Sequence, residues 1–341
     1  MRAEDFDYTL PPDRIAQQPM EPRDAARLMM VDRARDAITH HRFRDLPRLL
    51  APGDVLVAND TRVVHARLRG RKSDTGGAVE ALLLRPLADN LWLALVRGNV
   101  RSGTRLCFGT PEAELQAVVD HVHDDGSRAL RFQRDPAPLL GQVGELPLPP
   151  YIRQPPADPE RYQTVYARVS GSAAAPTAGL HFTPELVDRT LRAGVGIAFV
   201  TLHVGADTFR PLAPGPIDRH VIHSEWAEVP PATAEAVLGV RRSGGRVVAV
   251  GTTTVRALET AAARAAGNGP APFSGWTDLY IRPGHPFRAV DALITNFHLP
   301  RTTLLVLVAA LAGRELLERA YNEAIAHGYR FYSFGDAMMV V

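Results

Sequence analysis

Six short polar segments hold most of the side chains in this chain that could do chemistry. They are Asn59-Asp60-Thr61-Arg62, the 171–181 loop ending Pro176-Thr177-Ala178-Gly179-Leu180-His181, His203-Val204-Gly205-Ala206-Asp207-Thr208-Phe209-Arg210, Gly251-Thr252-Thr253-Thr254-Val255-Arg256, Thr295-Asn296-Phe297-His298-Leu299-Pro300, and Ser333-Phe334-Gly335-Asp336. Histidine and carboxylate side chains can move protons near neutral pH. Gly251-Thr252-Thr253-Thr254 has the letters of an anion cradle, in which exposed backbone N–H groups and a helix dipole favour a phosphate or carboxylate. Each segment also has a plain structural reading. A hydroxyl after a strand most often caps a helix, and a lone histidine there is usually a satisfied core or surface residue. Their convergence on one edge would outweigh those readings.

Several familiar chemistries are absent. The chain has no G-x-x-x-x-G-K-[ST], G-x-G-x-x-G or H-E-x-x-H run and no G-x-S-x-G elbow. His223-Ser224-Glu225 has the letters of a deaminase H-x-E, but Cys107 is the only cysteine, so the required cysteine pair is missing. No metal-ligand set with a recognisable spacing is present, and no metal is expected.

The elements that must position these segments follow from hydrophobic periodicity. A short helix is expected at 43–50 and a buried strand at 54–58. From 63 to 132 the chain reads as short strands at 63–68, 78–84, 91–96, 105–108, 115–122 and 129–132, separated by Gly, Asp and Asn turns, which argues for a small barrel or sandwich. After the stiff run Leu146-Pro147-Leu148-Pro149-Pro150-Tyr151, strands alternate with helices. Helices are expected from Pro184, at 233–242, at 255–266 and at 303–327. Strands are expected at 197–202, 246–250, 278–281, 289–294 and 329–332. That order predicts an α/β domain with a mainly parallel sheet, covered on both faces or closed into a barrel, whose ligands bind at the carboxyl ends of the strands. The expected organisation is nested: 1–62 with 146–341 as the α/β domain, and 63–145 as an inserted β-barrel.

Composition narrows the classes. The 341 residues carry 39 basic and 37 acidic groups, for a formal charge of +2, and are 45% hydrophobic, which rules out wholesale disorder. The balance hides a segregation: 14 basic and 11 acidic groups over 1–72, 7 and 10 over 73–150, and 18 and 16 over 151–341. Lys72 is the only lysine. One cysteine excludes an intrachain disulfide and fits a reducing cytosol. The first residues carry acids and no apolar run, so no signal peptide is expected. The most apolar run, 304–312, falls far short of the ~20 residues that cross a bilayer. A cytoplasmic monomer is expected.

The same segments carry a resemblance. Asp7-Tyr8-Thr9-Leu10-Pro11, Ile15-Ala16-Gln17-Gln18-Pro19, Asn59-Asp60-Thr61-Arg62, Tyr162-Gln163-Thr164-Val165-Tyr166, Ala174-Ala175-Pro176-Thr177-Ala178-Gly179-Leu180-His181-Phe182, His223-Ser224-Glu225 and Thr295-Asn296-Phe297-His298-Leu299-Pro300 stand in this order. In that order the chain resembles the S-adenosylmethionine:tRNA ribosyltransferase-isomerase family of queuosine biosynthesis, from residue 5 to residue 339. The resemblance implies a barrel-like α/β domain interrupted by a small antiparallel β-barrel. It implies transfer and isomerisation of the ribosyl part of S-adenosylmethionine onto 7-aminomethyl-7-deazaguanine at the wobble position of tRNA. Adenine and methionine leave, and epoxyqueuosine-tRNA results. S-adenosylmethionine is then a consumed substrate, and no separate cofactor is implied. The chain departs from the family pattern at Asp207, where Gly is usual, and at Arg301-Thr302-Thr303, where a Ser-Thr pair is usual.

That chemistry sets the candidates. The sulfonium acidifies the ribose C5′ hydrogens, so a general base is required. His203, His223 and His298 lead, with Glu225 and His181 also on the catalytic list. Asn59, Asp60, Arg62, Thr177, Thr208, Thr252, Thr253, Arg256 and Asn296 are expected to bind substrate. Arg67, Arg69, Arg71 and Lys72, with Arg62, form the densest basic stretch and are expected to touch RNA, against the plainer reading of a solvated strand face. The competing functions are a barrel enzyme acting on a phosphorylated small molecule and a non-catalytic RNA-binding module built on the β insert.

Overall fold

The computed structural model describes residues 1–205, 211–265, 267 and 269–341. Its elements run β1 (Arg27–Asp32), β2 (Ala37–Arg42), α1 (Leu46–Leu49), β3 (Val55–Asn59), β4 (Thr61–Val63), β5 (Arg67–Lys72), β6 (Ala78–Ala88), β7 (Leu91–Arg97), β8 (Arg105–Thr110), β9 (Ala113–Val122), β10 (Arg128–Phe132), α2 (Leu140–Val143), β11 (Gly144–Glu145) and β12 (Val169–Ser172). They continue α3 (Pro184–Arg192), β13 (Gly196–Leu202), β14 (Glu225–Val229), α4 (Pro231–Ser243), β15 (Val247–Val250), α5 (Thr252–Arg264), β16 (Phe273–Thr277), β17 (Ala292–Asn296), α6 (Thr303–Ala312), α7 (Arg314–Ala326) and β18 (Ala337–Val340). They form two compact units, Met1–Thr61 with Pro150–Val169 and Ala175–Val341, and Arg62–Pro149 with Ser170–Ala174.

The first unit is built on a nine-stranded sheet in the order β16-β14-β13-β3-β15-β17-β18-β1-β2. The inner strands β13, β3, β15 and β17 are parallel. β18 runs antiparallel to β17, and β14, β16 and β2 are antiparallel to their neighbours. The sheet is therefore mixed, not mainly parallel: of its eight strand pairings, four are parallel and four antiparallel. Every residue of β3, β15, β17 and β18 is buried, as strands covered on both faces must be. Leu56, Ala58, Val248, Val250, Ala292 and Ile294 join Phe43, Leu46, Phe182 and Leu186 in one apolar cluster. The intervening residues point to the opposite face by the two-residue period of a strand. Helices α4 and α5 pack on β3, β13 and β15.

Three expectations need correction, and one hairpin stands where no element was expected. The expected last strand at 329–332 is irregular, with Tyr332 at φ 72, and the final strand is β18. The strand expected at 278–281 lies earlier, as β16, since the Thr277 hydroxyl accepts the Leu279 N–H at 3.3 Å and turns the chain off the ladder. The long helix at 303–327 is two helices, broken at Gly313, whose φ is 83. The β1–β2 hairpin went unread; its turn is closed by Asp32, whose carboxylate accepts the Ala34 and Arg35 N–H groups, both at 3.0 Å.

The second unit closes six strands in the order β5-β6-β7-β10-β9-β8, with β8 returning to β5, and β11 adds to β5. Leu68, Val79, Ala81, Leu83, Leu106, Phe108, Leu115, Val119 and Leu130 fill it. Closure needs Gly70: a Cβ there would sit 2.2 Å from the Cys107 carbonyl oxygen. Among the described residues, no helix is long and apolar enough to cross a membrane.

Asp54 sets the level of the inner strands at their amino ends. Its buried carboxylate accepts the Ala51 N–H at 2.9 Å, the Arg246 N–H at 3.0 Å and the Arg246 guanidinium at 2.6 Å. Its carbonyl accepts the Gly196 N–H at 2.8 Å. Burial pushes this carboxyl up, but the Arg246 guanidinium and the backbone donors outweigh it and hold the pKa below the usual value. A lowered folded pKa means stability that is complete above the unfolded carboxyl's ~3.9 and lost as pH falls through the folded value. Asp54→Asn is expected to cost about 1–3 kcal/mol at pH 7, the scale of hydrogen bonds to a charged group. Urea unfolding should show the gap to wild type shrinking below about pH 4; an equal gap at pH 7 and pH 3 would refute the assignment.

Candidate active site

The strand register brings the polar segments of the first unit to one edge. Val200 of β13 lies opposite Asn59 of β3, Val250 of β15 opposite Ala58, and Ile294 of β17 opposite Val250. The antiparallel strands β14 and β18 begin at that same edge, where Ala227 pairs with Leu202 and Ala337 with Asn296. Segments leaving β3, β13, β15 and β17, and those entering β14 and β18, therefore meet.

A cleft at this edge is lined by Thr177, Thr252, Thr253, Asn296, His298, Tyr151, Tyr332 and Ser333, among others. One wall is the start of α5. Gly251, at φ 92, turns β15 directly into the helix, a conformation that favours glycine. Thr254 returns its hydroxyl to the Val250 carbonyl at 2.8 Å, while Thr252 and Thr253 border the cleft. The first-turn N–H groups of a helix attract an anion. Another wall is a fixed chain of hydrogen bonds: the Thr177 hydroxyl donates to Asn296 Oδ1 at 2.9 Å, and Asn296 Nδ2 donates to the Tyr332 carbonyl at 3.2 Å. The Tyr151 and Tyr332 rings lie 4.8 Å apart, and the Tyr151 hydroxyl bonds Ser333 Oγ at 2.7 Å.

His298 sits at the end of β17. Its Nε2 is 2.7 Å from Thr295 Oγ1, its backbone N–H donates to the Tyr321 hydroxyl at 2.9 Å, and its carbonyl accepts the Tyr8 hydroxyl. Burial pushes the imidazole down to about 3, so it is neutral near pH 7.

Two further histidines lie beside Val204 and Gly205 at the same edge. His203 Nδ1 is 2.7 Å from Thr61 Oγ1, and its ring stacks on Trp226 at 5.3 Å. Burial lowers its pKa, with Asp60 opposing. His223 Nε2 lies 3.2 Å from Glu225 Oε1. Glu225 is fully enclosed, accepts the Gly205 N–H at 2.8 Å and pairs with Arg256. Burial pushes the Glu225 carboxyl up, yet Arg256 and His223 override it and hold it at about 2. A carboxylate ionised near pH 7 thus lies within ion-pair distance of the His223 ring, an arrangement that suits an acid–base site.

Other expected site residues, and Thr302, make hydrogen bonds within the protein. Asn59 spends its amide on strand ends: Oδ1 accepts the Thr61 N–H at 3.1 Å and the Leu202 N–H at 3.0 Å, and Nδ2 donates to the Leu202 carbonyl at 2.9 Å and to Thr253 Oγ1 at 3.3 Å. Buried Asp60 accepts the Thr201 hydroxyl at 2.7 Å and Arg168 Nε at 2.6 Å. Arg256 is buried, and its guanidinium pairs with Glu225 and donates to the Leu279 and Thr277 carbonyls, at 3.2 and 3.4 Å. His181 is buried, stacks on Phe43 at 4.9 Å, and has its ring nitrogens 3.1 and 3.0 Å from the Ala178 and Gly335 carbonyls. That is a core histidine, and burial lowers its pKa. Thr302 uses its hydroxyl to cap α6. Thr208, and Asp207 beside it, lie outside the described residues.

Arg62 lies in the second unit, as do the four basic residues of β5. Alternation puts Arg67, Arg69 and Arg71 on the face opposite buried Leu68, and Lys72 on the other parity. Arg67 donates to the Leu148 carbonyl at 3.0 Å and Arg69 pairs with Glu145 at 3.1 Å. Reading the segments missed Tyr151, Tyr332, Trp226 and Thr295. A single signal covers most of them: an aromatic or hydroxyl residue directly beside a strand-end polar cluster.

Comparison with known proteins gives one consistent result. The model of the family described as queuosine biosynthesis protein matches residues 3–340. The S-adenosylmethionine:tRNA ribosyltransferase-isomerase of Moorella thermoacetica is 54% identical over 346 residues, covering 100% of both chains. That of Thermus thermophilus is 54% identical over 99% of each. The crystal structure of an S-adenosylmethionine tRNA ribosyltransferase from Thermotoga maritima is 41% identical, covers 99% of this chain and 100% of its own, and superposes with a TM-score of 0.58.

The buried Glu225–Arg256 pair yields a test independent of turnover. Removing one partner of a buried ion pair strands the other, at about 3–5 kcal/mol. Arg256→Met is expected to lose stability on that scale in denaturant unfolding. Wild-type stability in that variant would mean the fork is free for a ligand.

Proposed function

Since the chain belongs to the queuosine biosynthesis protein family, we infer that it is an S-adenosylmethionine:tRNA ribosyltransferase-isomerase, which moves and rearranges the ribosyl unit of S-adenosylmethionine onto 7-aminomethyl-7-deazaguanine in tRNA. The near-full-length identity to enzymes of that name carries the reading and sets aside a barrel enzyme of phosphorylated small molecules. In this proposal it works as a cytoplasmic monomer, consumes S-adenosylmethionine as a substrate and uses no separate cofactor.

The roles given to the cleft residues rest on one observation: a helix N-terminus with two threonines shares a cleft with a neutral buried histidine and two tyrosine rings. Thr252, Thr253 and the start of α5 hold the methionine carboxylate, an anion matched to the helix dipole. The Tyr151 and Tyr332 rings take the adenine face. Thr177 and Asn296, already locked to each other, hydrogen-bond the nucleoside. His223, oriented by ionised Glu225, is the general base that takes the C5′ proton made acidic by the sulfonium. His298, neutral and tied to Thr295, donates or accepts hydrogen bonds as adenine departs, and His203 with Thr61 supports the ribosyl unit. The modified base enters unpaired, and the outer face of β5, with Arg67, Arg69 and Arg71, contacts RNA phosphates alongside Arg62 and Lys72.

Incubation with precursor tRNA and S-adenosylmethionine is expected to release adenine and methionine together. Absence of both from folded protein would sink the assignment. His298→Ala is expected to cut kcat at least ~100-fold, the scale of losing a preorganised hydrogen-bonding group at an active site. Because burial keeps this imidazole neutral above about pH 3, the fold-loss should be equal at pH 6 and pH 8. A loss that changes with pH across that range would assign His298 a titrating role instead.

A further inference from the structure

A second cluster of ligand-type side chains lies away from the strand-end cleft. His40 projects from β2, the edge strand of the large sheet. Glu323 is in the last turn of α7 and His327 caps that helix. Four residues apart, Glu323 and His327 share one helix face. One ligand atom from each of the three lies within 4.8 Å of the others. A tetrahedral site with bonds of 2.0–2.1 Å needs donor atoms about 3.3 Å apart, a difference that rotation of the half-exposed Glu323 and the exposed His327 side chains covers.

The surroundings prepare the donors. His327 Nδ1 lies 2.9 Å from the Glu323 carbonyl. A carbonyl only accepts, so Nδ1 carries the proton and Nε2 keeps its lone pair. His40 Nε2 is 2.8 Å from Glu323 Oε1, and its Nδ1 is 2.7 Å from the Tyr329 hydroxyl. Tyr329 is 1% exposed and its ring is clamped by Arg27 at 4.1 Å, so it holds the His40 ring in place. These are the outer partners that metal-bound histidines use: a fixed acceptor or hydroxyl on one nitrogen, the other nitrogen turned to the ion. When an ion replaces the proton between His40 Nε2 and Glu323, that proton is carried on Nδ1 and donated to the Tyr329 oxygen.

We propose that His40, Glu323 and His327 form a binding site for a divalent transition-metal ion of the zinc class, which clips the edge strand β2 to the end of α7. Two imidazoles and one carboxylate suit zinc, cobalt or nickel, not magnesium or calcium. No spacing in the sequence announces the set, because His40 stands 283 residues before Glu323.

The test uses the full chain, stripped with a chelator and titrated with Zn2+ by calorimetry. One equivalent is expected to bind and to raise the thermal midpoint, while Mg2+ does neither. His40→Ala and His327→Gln should each weaken Zn2+ at least tenfold and abolish the rise in midpoint, each variant being compared with and without chelator. His41→Ala, the neighbour on β2, should leave both intact. No stoichiometric Zn2+ binding would overturn the proposal, as would binding of wild-type affinity in the two cluster variants.

Discussion

Four parallel strands stop at nearly one level, and the backbone groups that lose their ladder partners there must find others. That constraint organises the first unit. The Asn59 side chain answers it at the centre, accepting the Thr61 and Leu202 N–H groups and donating to the Leu202 carbonyl and Thr253. Asp54 sets the same strands at their other end, through Arg246 and Gly196. With both ends fixed, the segments leaving the strands have little freedom, and the cleft they line is pre-shaped. The antiparallel neighbours add to it because β14 and β18 begin where the parallel strands finish, which delivers Glu225 and Ser333 to the edge that β13 and β17 leave.

Much of this was legible in periodicity, and the failures have local causes. The barrel strands stood out because each alternates and ends in a Gly, Asp or Asn turn, and β3, β13, β15 and β17 stood out as short apolar runs. The 329–332 run looks like a strand by composition. Its apolar rings instead fill the core around Phe297, with Phe297–Phe331 at 4.9 Å and Phe297–Tyr329 at 5.5 Å, and the backbone turns left-handed at Tyr332. The 303–327 run keeps one apolar stripe through Gly313, so only the glycine's backbone conformation separates α6 from α7. In both places tertiary packing overrides a local pattern.

The site was legible as a location more than as a set of roles. Residue types that bind ligands also close strand ends and helix starts. Asn59, Asp60 and Arg256 carry the letters of substrate contacts, yet each is committed inside the protein, where an unpaired polar group would cost more than a surface contact returns. Thr177, Thr252, Thr253, Asn296 and His298 share those letters and border open space. The distinction depends on which way a side chain leaves its element, and that follows from register, which needs the whole sheet. The tyrosines were missed for a related reason: Tyr151 and Tyr332 are far apart in the chain and become one surface only when packed 4.8 Å apart.

Histidine shows how far environment outruns residue type. His181 and His298 are both enclosed, and burial drives both toward the neutral form. His181, between two carbonyls and against Phe43, is a strut. His298, on the cleft with a hydroxyl partner, is an uncharged hydrogen-bonding group that stays uncharged through the physiological range. His223 differs from both because its neighbour carries the charge. Arg256 helps hold Glu225 ionised where burial favours the neutral form, and His223 Nε2 lies 3.2 Å from that carboxylate. The Arg256 guanidinium, the His223 ring and the Gly205 N–H together offset the burial that favours a neutral Glu225.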